Sequence, residues 1–195
     1  FNGRIDDVAV FGRALSSAEV ASLWSDGYAL PAGLDMRNTD LLVTADSAVK
    51  VVHPGPDGGA VPFGKLTLRG GKLSTQGVST GVAFDSTTID ADAKAVGLDF
   101  QVPTTYGTIT NNSPAVTITL SGASTLLLDK PLEGNPTGAT WRVEGGAVQL
   151  RGIDTLKSRP ITVAGGVLDV MGETALGSSP LELAGGTLQV QARDP

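Results

Sequence analysis

The sequence predicts an all-β fold in which short parallel strands stack into a β-solenoid, and three observations point there. The last third of the chain repeats every 20 residues: TWRVEGGAVQLRGIDTLKSRP from Thr140, PITVAGGVLDVMGETALGSSP from Pro160 and PLELAGGTLQVQARDP from Pro180. Within each copy, apolar and polar residues alternate on both sides of a glycine pair, which is the period of a strand and not of a helix. Composition agrees, since 26 Gly, 5% aromatic and 17% charged residues favour many short strands and tight corners.

A unit with two short strands cannot bury an apolar face alone, so copies must stack. In register, each strand pairs with its equivalent about 4.8 Å away, and like residues form ladders along a closed interior. The expected ladders are Trp141, Ile161 and Leu181; Val143, Val163 and Leu183; Val148, Leu168 and Leu188; Leu150, Val170 and Val190. Leu156 and Leu176 suggest a fifth column. Gly145-Gly146, Gly165-Gly166 and Gly185-Gly186 occupy the corners, where a missing Cβ admits positive φ and close approach of the next coil. Pro160 and Pro180 precede first strands, where a missing N–H interrupts nothing.

From the N-terminus, residues 1–29 stand outside the repeat. FNGRIDDVAVFGRAL reads as a bent strand, and Ser16 with Glu19 forms a capping box for a short helix, with Leu15 and Val20 as its staple. Val20, Leu23 and Trp24 share one face of that helix, and Gly27 stops it. Residues 30–40 read as a linker. Residues 41–195 form the solenoid, most regular over 141–195. Its weaker early copies are LLVTADSAVKVV, KLTLRGGKLST with Gly70-Gly71 in the corner, GVAFDSTTIDA, a strand through Val96, Leu98, Phe100 and Val102, and AVTITLSGASTLLLDK. About eight rungs are expected, starting near 41, 66, 82, 98, 118, 141, 161 and 181, in a column of roughly 40 Å. HPGPDGG (53–59) and KPLEGNPTG (130–138) are expected as loops off that framework.

Two local resemblances add expectations. Gly3, Ile5, Asp6, Asp7, Val8, Phe11, Arg13, Leu15, Ser16 and Glu19 resemble the closing segment of a laminin-G-like, concanavalin-A-like jelly roll, which implies a remnant able to cap the first rung. Gly165-Gly166-Val167-Leu168, Gly185-Gly186-Thr187-Leu188 and Ala175-Leu176-Gly177 resemble the autotransporter-associated β-strand repeat of large bacterial secreted and surface proteins. That resemblance implies an exported, right-handed parallel β-helix with no catalysis of its own. The handedness also follows the general rule for parallel crossovers.

Composition narrows the partners. A formal charge of −6 without basic runs argues against nucleic acid or anionic membrane as the main partner, and no apolar run approaches the roughly 18 residues of a span. The absence of cysteine excludes disulfides and thiol chemistry. The chain starts at Phe1 and stops partway through a unit, so both ends are expected to continue, and Leu181, Leu183, Leu188 and Val190 form a rung open to further repeats or end-to-end self-association.

Candidate chemistry centres on Asp85, Asp90, Asp92 and Asp99, a group suited to carbohydrate or calcium, with Asp90 and Asp92 expected on one side of a strand. No Arg or aromatic platform lies near them in sequence, so a solvated edge is the simpler reading. Asp6-Asp7 lacks EF-hand spacing, and the corners depart from the calcium nonapeptide at Leu168 and Val170. His53, the one histidine, has no Ser, Cys or second His beside it in sequence. Trp24 and Trp141 read as core residues, and Gln149, Asp169 and Gln189 as a solvated wall. No cofactor or metal is expected. The favoured function is a non-catalytic structural or adhesive segment of an extracellular or cell-surface bacterial protein, with surface glycans as possible ligands; the alternative is a carbohydrate-binding or polysaccharide-degrading β-helix.

Overall fold

A computed structural model describes residues 35–51, 59–77, 81–128, 130–134, 138–151, 156, 159–172 and 174–191. The strand–helix segment expected over 1–29, with Trp24, lies outside the described residues, as does His53. Among the described residues seventeen strands follow one another, and every pairing between them is parallel, in two sheets. Strands adjacent in sequence lie mostly in opposite sheets, and each pairs with its equivalent one coil away. That is the β-solenoid the repeat predicts.

The coils begin with β1 (Leu41–Val43) and β2 (Ser47–Val51), β3 (Val61–Leu68) and β4 (Gly71–Gly77), and β5 (Val82–Ile89) and β6 (Ala95–Phe100). Next come β7 (Thr104–Thr105), β8 (Thr108–Asn111) and β9 (Val116–Gly122), then β10 (Thr125–Leu128), β11 (Glu133–Gly134) and β12 (Ala139–Val143). The regular coils are β13 (Ala147–Leu150) with β14 (Ile161–Val163), β15 (Val167–Met171) with β16 (Leu181–Leu183), and β17 (Thr187–Gln191). The second sheet runs β2-β4-β6-β9-β12-β14-β16. Six steps separate its first strand from its last, so the column makes about six turns, slightly fewer than the eight rungs expected.

The difference has a geometric cause. The starts near 41, 66 and 82 fall in the first sheet, whereas 98, 118, 141, 161 and 181 fall in the second. The sequence phase changes sheets in mid-chain and counts half a coil as a whole one. Gly70-Gly71 accordingly turns a different corner from the late glycine pairs: it leads from the first sheet into the second, whereas Gly145-Gly146 leads back. GVAFDSTTIDA, read as two arms about a corner, forms the single strand β5.

The first sheet is wide in the early coils. Its entry half stacks 61–63, 82–84, β7, β10, β13, β15 and β17, and its exit half stacks β1, 66–68, 86–89, β8 and β11. Beyond β11 no described strand continues the exit half. Leu156 is buried between β13 and β14; in the next coil the buried residue is Ala175, with Leu176 only partly covered, so the fifth column shifts by one residue. Residues 35–40, expected as linker, already pack on the solenoid. Met36 bridges to Phe63, Gly64 N–H donates to Thr39 O at 3.1 Å, and Lys65 N–H donates to the Asp40 carboxylate at 2.8 Å.

The expected ladders hold residue by residue. Leu73, Leu98, Leu120, Val143, Val163 and Leu183 lie in register through the second sheet, and Val82, Thr104, Leu126, Val148, Leu168 and Leu188 through the first. Leu150, Val170 and Val190 line up alongside. Trp141 sits buried between Ile118 and Ile161, a core residue as expected. Polar breaks in the interior are mostly satisfied: the Thr75 and Thr104 hydroxyls share a hydrogen bond of 2.7 Å, and Thr87 donates to Tyr106 O at 2.7 Å. Phe63, Phe84 and Tyr106 stack through three coils with centroids 5.5 and 5.6 Å apart. Burial is the main force pushing the Tyr106 phenol well above its ordinary range, with the Asp99 charge adding to it. Thr75 lies beside the hydroxyl, although no hydrogen bond of normal geometry forms to it.

The glycine corners work by backbone approach. Gly146 and Gly166 adopt φ of 70° and 65°, and Val167 N–H donates to Gly146 O at 2.9 Å, as Thr187 N–H does to Gly166 O at 2.9 Å. A Cβ on Gly166 would lie 2.5 Å from Gly146 O, and one on Gly146 would meet the Phe100 ring at 2.5 Å. The corner therefore excludes side chains both by dihedral and by space.

Candidate functional site

The acidic group does not converge. Asp85 is exposed on β5, Asp90 and Asp92 lie in the turn that follows it, and Asp99 is on β6 in the other sheet. Asp90 and Asp92 do not project from one strand; Asp92 N–H donates to the Asp90 carboxylate at 3.3 Å, which closes a local turn. The arginine that sequence distance hid is Arg69, one coil below, whose Nε lies 3.1 Å from Asp90 Oδ2. The Asp92 N–H first, and Arg69 next, hold the Asp90 carboxyl below its usual range. Asp99 accepts from Ser74 Oγ at 3.0 Å and from Gln101 Nε2 at 2.6 Å. Among the described residues, no three His, Cys, Asp or Glu side chains gather as metal ligands would.

One residue of the outer wall departs from expectation. Gln149, Asp169 and Gln189 are in register and face outward, yet Asp169 is only 5% exposed. Gln149 Nε2 donates to it at 3.2 Å, and Gln191 Nε2 reaches both its oxygens at 2.9 Å. Amides from the coils below and above fold over the carboxylate, so Asp169 is covered, while Gln149 is half-buried and Gln189 exposed as a solvated wall would have them.

The site with the clearest chemical potential is the last coil. Among the described residues, β16 pairs only with β14 and β17 only with β15, so one row of backbone groups in each has no described partner. Leu183 is 54% and Val190 67% exposed, and Leu181 and Leu188 are half-buried, whereas Ile161, Val163, Leu168 and Val170 one coil below are buried. The opposite end differs: Val43 and Val51 of the first coil are buried. Thr162 Oγ1 donates to Glu182 Oε2 at 2.9 Å, placing that carboxylate on the outer face of β16. Such an edge can extend a sheet, and its aliphatic row can bury a matching row.

The corner residues Gly145, Gly146, Gly165, Gly166, Gly185 and Gly186 stand where expected, between the second sheet and the first. The sequence reading missed the Asp169 clasp and the Phe63–Phe84–Tyr106 stack. The stack had a signal in its spacings, 63 to 84 to 106, each about one coil. No protein-family model, curated protein or solved structure matches the chain.

Proposed function

We propose that the chain is a non-catalytic structural or adhesive segment of a large bacterial secreted or cell-surface protein, acting as a stiff spacer that extends and presents what is joined to it. The observation that supports this reading is that in-register aliphatic ladders run along the column. Stacks of this kind gain length by adding coils, each of which supports its neighbour. The bacterial and surface assignments rest on the resemblance of the glycine-pair elements to the autotransporter-associated repeat, and the right-handed winding on that resemblance and on the crossover rule.

The test is binding and turnover of surface glycans by the intact chain and by an Asp90→Ala/Asp92→Ala double variant. The spacer reading expects no difference between them. Specific binding or cleavage lost in the double variant would overturn it in favour of a carbohydrate-active solenoid.

A further inference from the structure

The outer wall of the first sheet holds one side chain whose chemistry the ladders do not use. Met171 closes β15 on the same outward face as Asp169, with Gln191 in register above it and Arg151, the residue after β13, one coil below. Met171 is half-buried and Arg151 exposed. Arg151 Nε donates to the Met171 sulfur at 3.2 Å, while its Nη2 donates to Gln149 Oε1 at 3.4 Å. A thioether sulfur is only a weak acceptor, so this guanidinium N–H is aimed at a partner poorer than it could hold. The chain has one other methionine and no cysteine. That other methionine, Met36, packs against the core and bridges to Phe63.

Oxidation changes what Arg151 can hold. With hydrogen peroxide, a sulfur lone pair forms the S–O bond as the O–O bond breaks, and the departing oxygen takes the proton of the transferred one and leaves as water. Sulfur is oxidised by two electrons and the peroxide reduced by two. The product is a sulfoxide, whose oxygen is a far better acceptor than the thioether. Methionine has three rotatable bonds, so its end can turn the new oxygen onto Arg151 Nε without moving β15. A weak N–H···S contact between two coils then becomes a charge-assisted N–H···O bond. At Met36 the same oxygen would enter apolar surroundings with no such donor, at a cost in stability.

We propose that Met171 is a site of methionine oxidation by peroxide, and that Arg151 receives the sulfoxide so that the modified chain keeps its stability. Arg151 transfers neither proton nor electron in this step; it binds the product. Methionine oxidation usually loosens the packing around the residue it strikes. Here it ties the coil of β13 to the coil of β15 across the outer wall, and leaves the aliphatic ladders untouched. The proposal is independent of the spacer reading, since it concerns the wall of the column and not what the column presents.

The test uses the full chain carrying Met36→Leu, a volume-conserving swap that leaves Met171 as its one thioether, with no thiol to compete for the oxidant. Dilute hydrogen peroxide followed by peptide mass spectrometry should place one added oxygen on Met171 while the chain is folded. Urea unfolding then compares the reduced and oxidised forms, with Arg151 in place and with Arg151→Ala, an exposed position where truncation leaves the fold intact. With Arg151 the midpoint should hold or rise on oxidation. With Arg151→Ala, oxidation should lower the ratio of folded to unfolded chain about fivefold, the loss of one charge-assisted bond at a partly exposed site. Three results would each overturn the proposal: a Met171 that takes up oxygen only after urea has unfolded the chain, a midpoint that falls on oxidation with Arg151 in place, or a response that is the same with and without Arg151. None of them bears on the spacer reading, which the glycan experiment decides.

Discussion

Leu168→Ala tests the stacking most directly. Leu168 is fully buried between Val148 below and Leu188 above, so its isobutyl group touches ladder neighbours in both directions. Truncation removes the equivalent of about three methylenes, roughly 0.8 kcal/mol each. The space left cannot close, because β13, β15 and β17 are fixed by backbone pairing, and the cavity brings the cost to about 3 kcal/mol. Leu188→Ala removes the same atoms from a half-buried position and should cost about 1 kcal/mol. Urea unfolding followed by circular dichroism measures both. Equal losses for the two variants, or a loss below about 1 kcal/mol for Leu168→Ala, would mean that the coils do not stack as described.

Two further outcomes follow from the corners and the surface. Gly166→Ala should destabilise by about 2 kcal/mol or more, since alanine must take φ of 65° and place a Cβ 2.5 Å from Gly146 O; Gly59→Ala, with open space around it, should change urea stability by less than about 0.5 kcal/mol. Asp90 should titrate by NMR below the ordinary carboxylate value of about 3.9, and Arg69→Ala should bring it only part of the way back, because the Asp92 N–H remains. Because its folded-state pKa is depressed, Asp90 contributes stability above its unfolded pKa, and that contribution is lost as pH falls through the folded value. A titration midpoint unchanged by Arg69→Ala would remove the ion pair from this account.

The parts of the fold legible in the sequence are those set by identical short units. Val143, Val163 and Leu183 could be aligned because each coil from Trp141 onward uses two short arms and a glycine pair. The early coils obscured their phase because β3 and β5 run eight residues through both halves of the first sheet, which removes the corner that would mark the half-coil. Pairings between coils were harder still. Arg69 and Asp90 are 21 residues apart, and nothing local in either segment says that they touch. Asp169 looked solvated because alternation gives the face of a side chain and not what folds over it; only the placement of Gln149 and Gln191 in adjacent coils reveals the cover.

The late glycine corners have a consequence for how such a protein changes over generations. Because the joint between one 20-residue winding and the next is made largely of main-chain atoms, an in-frame duplication of residues 160–179 would repeat the corner bonds of the original segment, while setting Asp169 against a second Asp169 where Gln189 now stands. Each duplication would lengthen the rod by about 4.8 Å, with one compensating change at position 169 to separate the facing carboxylates. Reach can thus be adjusted mainly by copying DNA, with few point mutations.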